Sequence, residues 1–258
     1  MAEPVRLERD GDLAILVLDN PPLNLFGRDA FEALDARVAE IEGSDARAVV
    51  WRAEGDVFTG GADVKVFDGT DPESGGEMFA ALVGGVRRLE ALPIPTLALV
   101  HGLCLTAGLE VSLGCDMIWA TQSARFGLVE RVVGLTPGAG GTQRMAERAG
   151  PGRAREFVMT GGLYDAATLE RWGVVNRVVG DDELIEKGMA FARELAAGPT
   201  LAHGATKRLV RAYLEGGVNK ADAETPSVSG GLFATEDLKG AVRSFLEEGP
   251  GKATFEGR

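Results

Sequence analysis

The sequence predicts an α/β protein whose mixed core is followed by a helical C-terminal region. Three observations carry this. The chain of 258 residues, with 45% hydrophobic and 26% charged residues, can bury a sizeable core and has the balance of a folded domain. Short β-branched runs then alternate with stretches whose apolar residues recur every three or four positions. From about Asp181 onward only the helical spacing remains. The expected division is a core over residues 1–198 and a helical region over 199–258, starting near Pro199.

In chain order, residues 5–9 and 13–18 flank Asp10-Gly11, a hairpin signal. Phe31, Leu34, Val38 and Ile41 predict an amphipathic helix over about 28–42, and residues 48–53 (AVVWRA) a short buried strand. A glycine-rich loop at 55–62 and a polar stretch at 69–76 lead to a helix near 78–92. Residues 96–100 form an apolar strand ended by His101-Gly102, a helix runs from about Ala107 to Gly114, and residues 117–121 form the next strand. A second glycine-rich loop, 134–141, opens another helix, and residues 174–179 give one more strand. The C-terminal helices are expected to break over 216–231.

Composition excludes several classes of function. A net charge of −12 and a pI near 4.8 repel nucleic acid and anionic membranes, so an anionic ligand needs a local positive patch. The two cysteines, Cys104 and Cys115, lie in an apolar stretch and read as core thiols, with no metal-ligand spacing and no disulfide framework. The segment from Met1 to Arg6 lacks the apolar run of a signal peptide. The long apolar tract at 92–120 is interrupted by Pro93, Pro95, His101, Glu110 and Asp116, so it is not a spanning helix. The expectation is a soluble cytoplasmic protein.

Familiar motifs mostly fail. Gly55 to Gly60 has the glycine spacing of a P-loop, but Gly61 stands where lysine is required. Residues 138–143 break the dinucleotide pattern at its last position. No G-x-S-x-G elbow occurs, and only His101 and His203 could serve a serine hydrolase as base. Glu110 is more informative: a carboxylate in the most apolar tract of the chain is either paired, most simply with an arginine, or raised in pKa. Glu130 alone reads as a surface acid beside Arg131.

Four segments, in order, resemble one family. They are Phe58-Thr59-Gly60-Gly61-Ala62-Asp63-Val64-Lys65, the run His101 to Glu110 (HGLCLTAGLE), Phe126-Gly127-Leu128-Val129-Glu130, and the run Gly134 to Arg144 (GLTPGAGGTQR). Together they resemble the motifs of the enoyl-CoA hydratase/isomerase (crotonase) superfamily, most like the hydratases, over nearly the whole chain. The resemblance implies a crotonase-type ββα superhelix (the ClpP/crotonase fold), with a C-terminal helical region used for trimers and for hexamers built as dimers of trimers. It implies an acyl-CoA substrate, a role in fatty acid metabolism, and a lyase that needs no metal or redox cofactor, coenzyme A being part of the substrate.

The same resemblance assigns the site. The N–H groups of Ala62 and Ala107 would form an oxyanion hole for the thioester oxygen. Glu110 would hold and deprotonate water, and Glu130 would deliver the proton to Cα. Lys65, with Asp63 and Val64 beside it, would contact CoA, and the loop 20–25 with Asn24 and Leu25 would line the CoA cleft. The stretch 66–78 would shape the acyl pocket. A double-bond isomerase uses the same hole with fewer acids, and a non-catalytic acyl-CoA binder is the third possibility.

The sequence also departs from the family pattern. Thr106-Ala107 stands where glycines are usual, which suits an oxyanion donor at Ala107 only if the backbone there needs no positive φ. Val129 replaces a proline, and Arg131 is expected to lower the Glu130 pKa if the two side chains face each other. At the C-terminus Glu248-Gly249 replaces a basic pair.

Overall fold

The structure, a computed structural model, describes residues 3–258; Met1 and Ala2, on which part of the N-terminal reading falls, lie outside the described residues. The first sheet begins with the expected hairpin, β1 (Val5–Asp10) antiparallel to β2 (Leu13–Leu18), the turn being made by Gly11 at φ 57°. Helix α1 (Arg28–Glu42) follows, then β3 (Ala48–Ala53), α2 (Pro72–Ala91), β4 (Thr96–Val100), β5 (Leu103–Leu105), α3 (Thr106–Leu113) and β6 (Met117–Thr121). Then come β7 (Arg125–Gly127), α4 (Gly141–Ala149), α5 (Pro151–Thr160), β8 (Tyr164–Asp165), α6 (Ala166–Arg171) and β9 (Arg177–Val179). The chain finishes with α7 (Leu184–Ala196), α8 (Thr200–Gly231) and α9 (Glu236–Glu248).

The main sheet has the order β1-β2-β3-β4-β6-β9, and every pair after the hairpin is parallel. Parallel strands are covered on both faces, which is why β2 (LAILVL) is buried throughout and reads as an unbroken apolar run. The two-residue pleat sorts the same strands into two cores. Leu16, Leu18, Val49, Trp51, Ala98 and Ile118 pack toward α1 and α3; Leu13, Ile15, Val50, Leu97 and Trp119 pack beneath Leu184, Met189 and Ala192 of α7.

A second, small sheet was not foreseen. β5 pairs parallel with β7, and β7 antiparallel with the two-residue β8. Strands this short carry too little alternation to register in a sequence. They nevertheless position the site. The Thr59 N–H donates to Leu103 O and the Leu105 N–H to Thr59 O, so the loop after β3 is laid alongside β5 and delivers Ala62 to the start of α3.

Other boundaries moved for local reasons. α2 starts at Pro72 rather than near 78, because the Asp71 carboxylate accepts the N–H groups of Glu73 and Ser74 and proline suits the first helical position. The strand expected at 174–179 shortens to β9, since the N–H groups of Val174 and Val175 both turn back to Leu169 O. In α8 the break is confined to Gly216 and Gly217, and Pro226 is accommodated within the helix that resumes. Among the described residues no helix is long and apolar enough to cross a membrane.

Candidate active site

A cavity of about 730 Å³ opens between the loop 60–67, the N-terminal half of α3, α2 and the turn 129–138. Ala62, Thr106, Ala107, Glu110 and Glu130 all line it, so the four expected catalytic positions share one cavity, and Thr106 joins them. Phe31, Val66, Phe67, Met78, Phe79 and Leu82 also line it and make much of its surface apolar.

Glu110 sits on α3, every residue of which is buried, and its own exposure is 3%. Its Oε1 accepts the N–H groups of Ala139 and Gly141, both at 2.8 Å, at the point where the second glycine-rich loop opens α4. The ion-pair reading does not hold: Arg144 bonds to Glu90 instead, Nη2 to Oε2 at 2.6 Å. Burial raises the Glu110 pKa, and the N–H donors of Gly141 and Ala139, then the charge of Arg144, oppose that rise.

Glu130 heads a 3₁₀ turn over residues 130–133. It is not the surface acid its neighbours suggested. Both carboxylate oxygens are buried and have no hydrogen-bond partner among the described residues. Burial first, and the charge of Glu110 after it, push its pKa up to about 7 against some relief from its own backbone N–H. Arg131 does not pull it down. Its guanidinium points away and donates from Nη1 to Thr160 O at 2.8 Å, with its methylenes over Gly161.

The oxyanion positions differ from expectation in one respect. Ala107 is the second residue of α3, so its N–H is among those a helix cannot satisfy internally, and its φ is not positive. The left-handed residue is Thr106, at φ 43°, a rare conformation for a β-branched side chain. Its Oγ1 accepts the Ala62 N–H at 2.9 Å. The close approach depends on Gly61, at φ 100°, where a Cβ would collide with Thr106 Oγ1. Gly108, likewise, has no room for a Cβ against Thr59 and Phe26, which fixes how near α3 lies to the loop.

The residues assigned to coenzyme A are placed less uniformly. Val64 lines the cavity, whereas Lys65, Asp63, Asn24 and Leu25 are off its wall. Lys65 is exposed and has no ion-pair partner among the described residues. Asp63 caps the 3₁₀ turn 64–67 by accepting the Lys65 N–H. Asn24 is a buried staple: its Nδ2 donates to Glu54 O and Val57 O, both at 2.8 Å, and its Oδ1 accepts the Asn20 N–H. Leu25 packs on Gly60. The stretch 66–78 does line the cavity, through Val66, Phe67, Ser74, Glu77 and Met78.

Sequence reasoning missed the Thr106 side chain, together with Arg28, Glu32 and the Val132–Val133–Leu135 edge. The only signal for Thr106 was a β-branched residue in place of a glycine. Both cysteines are buried and free, their thiols pushed up by burial. Among the described residues no cluster of three His, Cys, Asp or Glu side chains could hold a metal.

Comparison with known proteins agrees with this arrangement. The family model "Enoyl-CoA hydratase/isomerase" matches residues 8–258. A short-chain-enoyl-CoA hydratase of Clostridium acetobutylicum is 33% identical over 248 residues, covering 95% of each chain. A crotonyl-CoA hydratase of Syntrophomonas wolfei is 32% identical over 250 residues, covering 95% of this chain and 96% of its own. A crystal structure of an enoyl-CoA hydratase from Bacillus anthracis superposes with a TM-score of 0.91 at 26% identity, covering 99% of this chain and 100% of that one. The ββα spiral with a helical C-terminal region is thus the crotonase fold, and the chain belongs to the enoyl-CoA hydratase/isomerase family.

Proposed function

We propose that the protein hydrates a 2-enoyl-CoA thioester across its 2,3 double bond. One observation carries the reading: two carboxylates in different protonation environments face the same cavity beside an oxyanion site. Glu110, gripped by two backbone donors, is positioned to hold a water and take its proton as the oxygen adds to Cβ. Glu130, with a pKa near 7, is suited to carry a proton and deliver it to Cα. The enolate charge that develops on the thioester oxygen between those events meets the donors at the start of α3, near the positive end of its dipole. The hydratase names of relatives at 33% and 32% identity support the same reading.

The chemistry is proton transfer, so it calls for no redox cofactor. The apolar surface of the cavity fits a hydrocarbon acyl chain, and its volume leaves room for one longer than crotonyl. Lys65 and Arg28 supply local positive charge near the cavity for the CoA phosphates on an otherwise acidic protein; Val64 lines it, while Asp63 caps the turn that carries Val64 and Lys65, and Asn24 and Leu25 hold the neighbouring loop. A trimer, or a hexamer of two trimers, is the expected assembly. It is supported by exposed apolar side chains on α8 (Val210, Tyr213, Leu214, Val218) and α9 (Phe245, Leu246). Two free buried thiols suit the cytoplasm.

The test is loss of the conjugated-thioester absorbance of crotonyl-CoA and of a longer 2-enoyl-CoA, with Glu110→Gln and Glu130→Gln alongside. Decay that either substitution abolishes supports hydration. Absence of decay with folded parent protein rejects it, and conversion of a 3-enoyl-CoA under the same conditions would make the protein an isomerase.

A further inference from the structure

The group that meets the Ala62 N–H is a hydroxyl. Resting on the acyl-CoA reading above, the geometry points to Thr106 as a catalytic residue whose Oγ–H, together with the Ala107 N–H, donates to the thioester oxygen, while the Ala62 N–H donates to Thr106 Oγ1.

The argument starts from occupancy. The Ala62 N–H cannot serve a ligand directly in this structure because Thr106 Oγ1 already accepts it at 2.9 Å. A hydroxyl that accepts one hydrogen bond keeps a proton to give. No acceptor for that proton exists among the described residues, and Thr106 lines the cavity next to Ala107. Its hydroxyl therefore carries the donation of Ala62 one bond further into the cavity. Accepting an N–H also polarises the O–H and makes it a better donor.

The backbone supports the assignment independently. Thr106 holds φ 43°, where a β-branched residue is disfavoured and glycine is comfortable. Such strain costs on the order of 1–3 kcal/mol and persists only where surrounding structure determines it. Here Gly61, at φ 100°, leaves the space that the Thr106 hydroxyl fills, so the two unusual backbones fit each other. No packing need explains the hydroxyl. A threonine methyl could fill the gap, yet the oxygen faces Ala62 N.

Donation of this hydrogen bond moves no proton to the substrate oxygen. It lowers the energy of the enolate relative to the thioester, whichever carbon is then protonated. The relay also sets the thioester oxygen farther from the Ala62 backbone than a direct N–H contact would.

The experiment compares Thr106→Val, Thr106→Ser and Thr106→Gly in two readouts. The first is kcat on crotonyl-CoA. Valine puts a methyl where the oxygen stood and still blocks Ala62, so kcat should fall by roughly 10²–10³-fold, as for loss of one oxyanion donor; serine should recover to within about 10-fold of the parent. The second readout is the C=O stretch of bound, non-reacting butyryl-CoA carrying a ¹³C label at the carbonyl. The stretch should shift to lower frequency in the parent and the serine variant, and by distinctly less in the valine variant. Glycine exposes the Ala62 N–H directly and should stay below the parent in kcat; it decides the matter if the valine variant does not fold. Parent-like kcat and carbonyl shift in the valine variant would overturn the inference, as would a glycine variant at or above the parent, which would make the hydroxyl an obstruction. Failure of the parent to bind butyryl-CoA would instead remove the acyl-CoA reading on which it rests.

Discussion

Glu110 and Glu130 line the same cavity, and the charge of Glu110 adds to the burial that drives the Glu130 pKa up to about 7. Glu110 is restrained by two backbone N–H groups, and Glu130 by no hydrogen bond to its oxygens among the described residues. One is built to stay in place and the other to exchange a proton.

A pH dependence follows from that asymmetry. If Glu130 must enter the cycle protonated, kcat/KM on crotonyl-CoA should decline as pH rises through about 7. Arg131→Ala should leave this descending limb nearly where it is, because the guanidinium is committed to Thr160 O. A rise of the limb in the alanine variant by a full pH unit would show that Arg131 reaches Glu130 in solution.

The same shift has a consequence for stability. The ordinary carboxyl value of 4.5 is raised to about 7 on folding, so the folded state binds the extra proton between those values. Stability is then lost as pH rises from about 4.5 through 7, because ionising Glu130 is easier in the unfolded chain. Glu130→Gln removes that cost. At pH 8 the variant should be more stable than the parent by on the order of 1–3 kcal/mol, discounted for partial exposure, and the advantage should vanish near pH 4.5. Denaturant melts at the two pH values check it; an advantage of the same size at both would assign the effect to packing.

Glu110 should separate structure from chemistry. Glu110→Ala leaves the buried N–H groups of Ala139 and Gly141 without their acceptor, at a cost of about 1–3 kcal/mol. Glu110→Gln keeps an oxygen for them and should lose much less stability. Both should lose kcat by at least roughly 10²-fold. Equal melting temperatures for the two variants would mean that the loop 134–141 does not depend on this carboxylate.

The parts of this molecule that the sequence made legible are those that repeat a period or a motif. The β2 and β4 strands show as unbroken apolar runs because both faces of a parallel sheet are covered, and α1 shows as a clean helical stripe. Glu110 stood out because a carboxylate in an apolar tract is costly. Glu130 became notable only through the motif around it, since no local pattern encodes the burial of its carboxylate. β5, β7 and β8 were invisible at three residues or fewer each. The sequence points to Asn24 only through the loop it belongs to, and gives no sign that its amide bonds to Glu54 and Val57 about thirty residues on. Thr106 was read as a residue without glycine's freedom. What its side chain does depends on Gly61 and Ala62, more than forty residues away.

The C-terminal tail supplies a last prediction, away from the cavity. Asp237, at the start of α9, accepts the N–H groups of Glu256 at 2.7 Å and Gly257 at 2.9 Å through its two carboxylate oxygens, and its own N–H donates to Arg258 O. Arg47 holds the same tail from the core, donating from Nη1 to Phe255 O and from Nη2 to Gly198 O. The tail thus ties α9 to the start of α8 and floors the apolar groove of about 400 Å³ that includes Phe245 and Phe255. Asp237→Ala should release residues 255–258, with faster amide exchange there and a loss of about 1–2 kcal/mol, while Asp237→Asn, which keeps one acceptor, should lose less. Because the groove adjoins the exposed apolar side chains of α9, the alanine variant should also shift any oligomer toward smaller species in sedimentation. Unchanged exchange at residues 255–258 would mean that Arg47 alone suffices to hold the tail.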